Sequence, residues 1–222
     1  MSTSPLFASV NGQRSTSSSI AIPYYGTWVA DVALAPDVAL ADAVTLQIGN
    51  LTLAGTVLRT APFAGSRDVR IVGGAGGWGK TIQLDPYRLA SGVPLSLVLR
   101  DAARACGETV KLATDRHLGE FYVPERGPAS RILRQLGGEL WWMDAAGVTQ
   151  VGPRSATKIK SAATVEDYAA GKGWLTIATE DLAAWAPGAT FSGNTVPMAL
   201  TVGATRIAAD ENGTLRLEVL TT

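Results

Sequence analysis

The chain has 222 residues, of which 46% are apolar and 17% are charged, and its formal net charge is zero. This length is enough for one large or two small domains with a buried core, and the low charged fraction indicates that partners cover part of the surface. The neutral balance excludes a global attraction to nucleic acid, and the single cysteine, Cys106, excludes an internal disulfide framework.

The N-terminal part of the sequence divides into a polar segment and a strand-rich segment. Residues 1–19 are rich in serine, and this composition predicts a flexible N-terminal arm. Residues 20–90 are predicted to form half of a β-barrel. Within them, residues 44–48 and 51–54 flank Gly49-Asn50, which is a strong signal for a two-residue hairpin turn. That turn puts the leucine and isoleucine side chains of both strands on one face.

The middle of the chain, residues 91–153, changes to a helical period and is predicted to form a small inserted α+β subdomain. A proline opens and a glycine follows each of two predicted helices, at residues 94–106 and 128–136. Residues 139–151 alternate around an Asp-to-Gly turn, which is typical of a hairpin.

The last segment, residues 154–222, returns to strand patterns and is predicted to form a second half-barrel. Residues 174–179 and 199–207 alternate between polar and apolar side chains, and another alternating run follows the turn signal at 210–213. The order β, then α+β, then β predicts a mainly β member of the α+β class. We expect a barrel or sandwich built from N- and C-terminal strands, with the α+β subdomain inserted between them.

Residues 74–81 read GAGGWGKT and match the G-x-x-x-x-G-K-[ST] pattern of phosphate-binding loops. Such a loop follows a buried parallel strand and precedes a helix whose N-terminus faces the phosphates. Here Arg70 interrupts the preceding apolar run, which favours a half-solvated antiparallel strand. Pro86 would fall in the second turn of the following helix, at a cost of roughly 3 kcal/mol. We therefore expect an extended segment after Lys80 and a structural loop anchored by Trp78; an NTP-binding protein is the alternative.

Few side chains suit catalysis or metal binding. His117 is the single histidine, it lies in a polar stretch, and no G-x-S-x-G motif accompanies it, so we expect it at the surface. One histidine and one cysteine cannot assemble a typical zinc site. The sequence therefore predicts a protein that is not an enzyme, with no catalytic residue, no cofactor and no metal site.

Paired aromatic residues open a second alternative, a carbohydrate- or cell-wall-binding module. Tyr24-Tyr25 and Trp141-Trp142 could stack on sugar rings. Adjacent residues of a strand point to opposite faces, however. We therefore expect one of the two tryptophans in the core and the other at the surface or in a protein interface.

Four segments between Leu46 and Arg154 occur in a characteristic order. They are a strand pair ending in LAGTVLRT, the glycine–tryptophan element VRIVGGAGGWGKTIQ, the helical segment YRLASGVPLSLVLRDAARACGE, and PASRILRQLGGELWWMDAAGVTQVGPR, a helix that leads into a tryptophan hairpin and a Gly-x-Arg close. In this order they resemble the baseplate hub proteins of tailed bacteriophages, which join the tail tube to the central spike. The resemblance covers about half of the 222-residue chain.

The resemblance implies a structural protein of the virion. Such hubs form a ring, often a trimer, of tube-like β-barrels around a lumen, between the tail tube or distal tail protein and the spike. Larger hubs carry two full barrels, which let a trimer match the six-fold tube, whereas here about 70 residues flank the insert on each side. No catalytic residue or cofactor is implied.

Further expectations concern the lumen and the place of synthesis. DNA would pass through the lumen without specific binding, and we expect Glu180, Asp181 and Glu218 to line it and repel the DNA. No apolar run approaches the length of a membrane span, and no secretory signal precedes the first strands. We therefore expect synthesis in the cytoplasm of a host bacterium and assembly into the tail baseplate.

Overall fold

The computed structural model describes residues 7–192 and 199–221. These residues form two α-helices, α1 (Leu95–Cys106) and α2 (Ala129–Gly137), and many strands. The strands are β1 (Ala8–Val10), β2 (Gln13–Pro23), β3 (Val29–Leu34), β4 (Ala43–Ile48), β5 (Leu51–Phe63), β6 (Ser66–Gly73), β7 (Thr81–Ile82), β8 (Tyr87–Arg88), β9 (Val110–Leu112), β10 (Phe121–Tyr122), β11 (Gly127–Pro128), β12 (Trp141–Met143), β13 (Thr149–Val151), β14 (Thr157–Lys158), β15 (Thr164–Ala169), β16 (Trp174–Ala178), β17 (Ala189–Phe191), β18 (Leu200–Asp210) and β19 (Leu215–Thr221). The prediction of a mainly β fold of the α+β class is confirmed.

Strands β1 to β6 form a closed six-stranded barrel in the order β1-β4-β5-β6-β3-β2, and the pairing of β1 with β2 closes the ring. Apolar side chains alternate inward along each strand, so that Ile20, Leu46 and Ile71 are fully buried. Burial of each such side chain contributes about 1.5–3 kcal/mol. The predicted hairpin is confirmed, because Ile48 pairs with Leu51 across the Gly49-Asn50 turn.

The N-terminal segment differs from the flexible arm predicted for residues 1–19. Residues 1–6 lie outside the described residues, but residues 8–10 belong to β1 and residues 13–19 belong to β2. Ser15 and Ser18 face the barrel interior and are 4% and 5% exposed. The arm prediction is therefore wrong for the described part. The buried Ser15 hydroxyl is satisfied by the backbone, since its Oγ donates to the carbonyl of residue 8 at 2.9 Å.

The last six strands continue the same hydrogen-bonded sheet. Strand β18 pairs with β2 of the barrel, and β14 to β19 follow the order β15-β16-β19-β18-β17-β14. Their buried side chains include Leu175, Trp185 and Val219. Among the described residues β14 and β15 pair with one strand each and not with one another, so this C-terminal sheet is open at both ends.

The strands are therefore not arranged as the two half-barrels that were expected at residues 20–90 and 154–222. The barrel closes with strands from residues 8–73 alone, because the β1–β2 pairing completes it. The C-terminal strands join this barrel through β2 instead of completing its ring. Each end of the chain therefore contributes six strands of its own.

Both predicted helices are confirmed and pack together in the insert between these two strand sets. Helix α1 buries Val98, Leu99 and Ala102 and ends at Gly107, which has a φ of +86°. A three-stranded sheet (β12-β13-β9) and the short pairs β7–β11 and β8–β10 surround the helices. Neither α1 nor α2 is long and apolar enough to cross a membrane, and the described part of the chain contains no other α-helix.

Candidate functional site

The glycine-rich loop at residues 74–81 connects β6 to β7. Strand β6 is antiparallel to both of its neighbours, β3 and β5. The loop contains a short 3-10 turn over Gly77–Gly79, after which Lys80 is extended, with φ −68° and ψ 137°. Residues Thr81–Ile82 then pair with β11. The predicted extended segment after Lys80 is confirmed, so no helix N-terminus points at the loop in this fully described stretch.

The polar groups of the loop bind other parts of the chain. The buried Glu108 carboxylate accepts hydrogen bonds from the Gly77 amide at 2.6 Å and the Ala75 amide at 3.2 Å. The Lys80 ammonium group donates to the carbonyl of Cys106 at 3.2 Å. Trp78, predicted as an apolar anchor, is buried and donates through Nε1 to a threonine hydroxyl of β13 at 2.8 Å. The backbone amides and the lysine that would bind a phosphate therefore bind Glu108 and Cys106 at the C-terminal end of α1.

Close packing explains why glycines occupy this loop. A Cβ atom on Gly77 would lie 2.1 Å from the carbonyl oxygen of Cys106, which is backbone and cannot move aside easily. Gly74 has a φ of +74°, and a Cβ atom there would lie 2.8 Å from an oxygen of Glu108. Glycine is required where two backbones approach this closely. The glycines thus serve the contact between the loop and the C-terminus of α1.

His117 lies at the surface, as predicted, and its backbone bridges to Pro94. The neighbouring Asp115 carboxylate accepts a hydrogen bond from the Ser96 amide at 2.9 Å in the first turn of α1. Hydrogen bonding to the Ser96 side chain holds the pKa of Asp115 below its ordinary value. The Asp115 carboxylate therefore caps the first turn of α1. That the chain has no catalytic, cofactor or metal-binding residue stays a prediction.

The two adjacent tryptophans are both half-buried, so the expectation of one core and one surface residue is wrong. The reason is that β12 lies between β13 and the end of the barrel. There the Gly26 amide donates to the carbonyl of Trp141, and the Gly26 carbonyl accepts from the amide of Met143. Trp141 packs against the core. The guanidinium of Arg154 lies 4.0 Å from the ring centre of Trp142. This cation–π contact occupies one face of the ring, which is then not available for stacking on a sugar.

Arg154, which closes the Gly-x-Arg element, joins the three parts of the molecule. Its guanidinium donates to the carbonyls of Tyr24 at 2.6 Å and Pro23 at 3.0 Å, at the end of β2, and to the carbonyl of Pro187 at 3.3 Å. Burial lowers the pKa of Arg154 to about 10. Sequence reasoning missed this role, because nothing in the local pattern indicates which carbonyls a distant arginine will reach.

Arg154 has no acidic partner within the described residues. Among these residues its positive charge is balanced by carbonyl dipoles and by the rings of Trp142 and Tyr24, whose centres lie 4.0 and 5.7 Å from the guanidinium. A half-buried guanidinium in this setting attracts a carboxylate.

A pocket of about 420 Å³ opens beside Arg154, where barrel, insert and C-terminal sheet meet. We call it the junction pocket. Its walls include Ile22 and Leu51 of the barrel, Trp142 of the insert, and Pro187. Most of these groups are apolar, and Arg154 and Asp144 also line the pocket, so it presents charges of both signs.

A second unusual surface lies on the β8–β10 pair of the insert. Three large apolar side chains are exposed there: Leu89 is 40% exposed, Phe121 61% and Val123 54%. Phe121 pairs with Arg88 of β8, and the Leu89 amide donates to the Glu120 carbonyl at 2.9 Å. Adjacent residues of a strand point to opposite faces, so Phe121 and Val123 lie on one face of the pair and Leu89 lies on the other.

The three acidic residues predicted to line a lumen have different surroundings. Asp181 accepts hydrogen bonds from the Asn50 side chain at 2.7 Å and from the Ala184 amide at 3.2 Å, so it caps a 3-10 turn. The Asn50 hydrogen bond contributes most to lowering the pKa of Asp181. Glu218 forms an ion pair with Arg216 at 2.9 Å. Glu180 is exposed. The lumen-lining role stays a prediction for all three.

No protein-family model and no curated protein matches this sequence. Solved structures do match. A tail protein from Neisseria meningitidis MC58 superposes with a TM-score of 0.66 at 12% identity, over 99% of this chain and 97% of that one. A tail protein of prophage MuSo2 from Shewanella oneidensis gives the same TM-score and identity, over 97% of this chain and 96% of that one.

A third similar structure comes from a secretion machine. It is an E. coli component of the type VI secretion system, described as structurally similar to the bacteriophage T4 tail proteins gp27 and gp5. It superposes with a TM-score of 0.65 at 11% identity, over 96% of this chain and 76% of that one. Barrel, insert and C-terminal strands are thus covered together. The chain has the fold of these phage-tail and secretion-system proteins.

Proposed function

We propose that this chain is a structural subunit of a phage tail baseplate, in a hub ring that joins the tail tube to the central spike. The observation that carries the proposal is the extent of the shared fold. Two tail proteins match over 97% or more of this chain, and the secretion-system component matches over 96%. The barrel, the insert and the C-terminal strands thus occur together in two phage-tail proteins and in a component of the type VI secretion system.

The arrangement of strands supports a ring of three copies. Each chain contributes two sets of six strands, the closed barrel and the open C-terminal sheet. Three copies would place six such units around an axis, which matches a six-fold tail tube. One edge of β15 pairs with no strand of the described residues, and this suits the arrangement, because an unpaired edge is stable when a neighbouring subunit covers or extends it.

The groups on which the NTP-binding and carbohydrate-binding alternatives depend form contacts within the chain. The Ala75 and Gly77 amides are bound to Glu108 and the Lys80 ammonium group to Cys106, so these donors are not free for an NTP. Arg154 occupies one face of the Trp142 ring, so that face is not free for stacking on a sugar. A non-enzymatic role in the virion tail is the function that the geometry supports best. The chain would be made in the host bacterial cytoplasm, and DNA would pass through the ring without specific binding.

Native mass spectrometry tests this function. The chain would be co-expressed with the tail-tube and spike proteins encoded by the same genome. We expect a complex that contains both partners and three copies of the 23.1 kDa chain. A chain that stays monomeric and binds neither partner would contradict the proposal. A thermal shift with ATP or GTP and magnesium, with Lys80→Ala as control, tests the NTP alternative, and we expect no stabilisation.

A further inference from the structure

One polar face runs across eight strands of the main sheet, in the order β5-β6-β3-β2-β18-β19-β16-β15. Directly opposed residues of neighbouring strands point to the same face, and so do residues two apart on one strand. The side chains that share this face are, in order along the sheet, Arg59, Arg70, Asp31, Ser19 and Ala208, then Arg206, Glu218, Thr176 and Asp167. The opposite face is buried in the core, as Ile20, Ile71 and Leu217 show. Arg59 and Asp167 therefore lie on the same exposed face, at the two ends of one sheet.

The sheet ends at β15, which pairs with β16 on one side and with no strand of the described residues on the other. A β-bulge interrupts its register between Val165 and Asp167. Glu166 and Asp167 are both exposed, and neither forms an ion pair within the part of the chain that the structure describes. This end of the sheet therefore has unpaired backbone groups beside two uncompensated negative charges.

The other end of the sheet, at β5, is only partly covered. Strand β4 pairs with β5 as far as Thr56. The segment before β4 makes backbone hydrogen bonds to the β5–β6 hairpin at Val57 and at Gly65, and none to residues 58–62 between them. These five residues pair with β6 alone, and all of them are exposed. Pro62, which has no amide hydrogen, is typical of such an edge. This stretch of β5 is therefore a second free edge.

Arg59 supplies the charge at this second edge. It is the only charged residue between positions 58 and 62, and it forms no ion pair within the described chain. The guanidinium of Arg70 beside it already binds both carboxylate oxygens of Asp31, each at 2.7 Å. A further exposed acid, Asp68, lies opposite Ala61 on β6, one strand away from the edge. The edge strand itself therefore carries one uncompensated positive charge.

The strand directions allow these two ends to meet between copies. The eight strands make seven neighbouring pairs, all antiparallel, so β5 and β15 run in opposite directions. A rotation about an axis along the strands preserves their directions, so β15 of one copy is antiparallel to β5 of the next. The axis lies on the polar side of the sheet, because the chain's own core covers the other side. The polar faces of neighbouring copies then point the same way.

We propose that the free edge of β5 in one copy pairs antiparallel with the free edge of β15 in the next copy. Arg59 then lies beside Glu166 and Asp167, on the same face of the joined sheet. With these charges opposed, the antiparallel direction brings the exposed Lys172, which follows β15, towards the exposed Asp42 beside Val57. The two edges differ, so the contact is head-to-tail, and repeated head-to-tail contacts build a ring when the rotation closes. The inference rests on the proposed ring and identifies the strands that hold its subunits together.

Disulfide trapping tests this pairing directly. Arg59→Cys and Asp167→Cys are prepared separately and mixed, because opposed side chains of paired strands lie within reach of a disulfide. The native Cys106 is buried, so it does not take part. Mild oxidation of the mixture should give a linked dimer in clear excess over either variant alone. A control mixture uses Arg126→Cys, at an exposed site on the insert, in place of Arg59→Cys. Equal cross-linking in both mixtures, or none in either, would overturn the proposed pairing.

Charge reversal, followed by sedimentation of the full chain, gives a second readout. We expect Arg59→Glu and Asp167→Arg each to weaken self-association by about tenfold, because each puts like charges opposite one another. The double variant restores opposite signs and should associate within about threefold of the wild type. Arg126→Glu, which reverses an exposed arginine that forms no ion pair within the described residues, is the matched control and should change nothing. A double variant as weak as the single variants, or a control as weak as Arg59→Glu, would refute the pairing of these edges. All three sites are exposed, so folding is not at risk.

The two proposals fail in different ways. If Arg59→Glu still joins the tube and spike in a ring of normal mass and stability, the β5–β15 pairing is refuted and the hub function stands. If the wild-type chain binds neither partner, the hub function is refuted. The trapping result then decides separately whether copies of the chain meet through these two edges.

Discussion

Replacement of Glu108 by alanine should destabilise the fold by about 3 kcal/mol. The carboxylate accepts one hydrogen bond of 2.6 Å from the amide of the buried Gly77 and one of 3.2 Å, part-buried, from the amide of Ala75, which is an exposed residue. A hydrogen bond to a charged group contributes about 1.5–3 kcal/mol, and a buried donor left unpaired costs about as much. Most of the loss therefore comes from Gly77, since water can replace the partner of Ala75. Glu108→Gln keeps one acceptor oxygen and should cost only about 1 kcal/mol.

Urea and thermal unfolding of the purified variants measure this effect. For a chain of this length, about 3 kcal/mol lowers Tm by roughly 6–12 °C. Glu139→Ala, which removes an exposed carboxylate of the same subdomain, is the matched control and should change Tm by less than about 2 °C. If Glu108→Ala is as stable as the control, the carboxylate does not hold the loop. If Glu108→Ala instead gains affinity for ATP, the structural interpretation of the glycine-rich loop is wrong.

Three further predictions follow from the same structure. Gly77→Ala should destabilise the fold by about 2 kcal/mol or more, since its Cβ would lie 2.1 Å from the carbonyl of Cys106; Gly79→Ala, where nothing lies within 4 Å, is the control in urea unfolding. Cys106 is buried, so it should resist thiol reagents at pH 8 until the chain unfolds. Burial raises the pKa of its thiol to about 11, so the folded chain favours the neutral thiol. The stability that this preference contributes is present below pH 9 and is lost as the pH rises towards about 11. Arg154→Lys should cost about 2 kcal/mol in the same unfolding assay, because an ammonium group cannot reproduce the guanidinium fork that reaches three carbonyls.

Each of these predictions has a result that would contradict it. A Gly77→Ala variant with the stability of Gly79→Ala would show that the loop is not packed closely on α1. Rapid labelling of native Cys106 would show that the end of α1 opens easily. A fully stable Arg154→Lys would show that the three carbonyl contacts contribute little to the junction.

Much of the fold could be predicted because its signals are local. The Gly49-Asn50 turn sets the register of β4 and β5, and proline and glycine mark the ends of both helices. The glycine-rich loop could also be interpreted locally, because Pro86 and the alternation around Arg70 exclude the helix and the parallel strand that phosphate binding needs. These elements agree with the structure because each depends on residues within a few positions.

The features that escaped prediction depend on distant residues. The serine-rich segment has the composition of a disordered arm, yet it becomes β2 because β3 and β18 pair with its two edges. Arg154 donates a hydrogen bond to the carbonyl of Tyr24, 130 residues earlier in the chain, and its guanidinium contacts the ring of Trp142. The junction pocket exists only where three separate segments meet, so no local pattern could indicate it.

Cryo-electron microscopy of the tail particle encoded by the same genome tests the hub function most directly. We predict density for this chain as a closed ring between the last tube ring and the spike. The closed barrels and C-terminal sheets should surround the lumen. A tail particle whose tube meets its spike without this chain, or a chain found only outside the particle, would contradict the account.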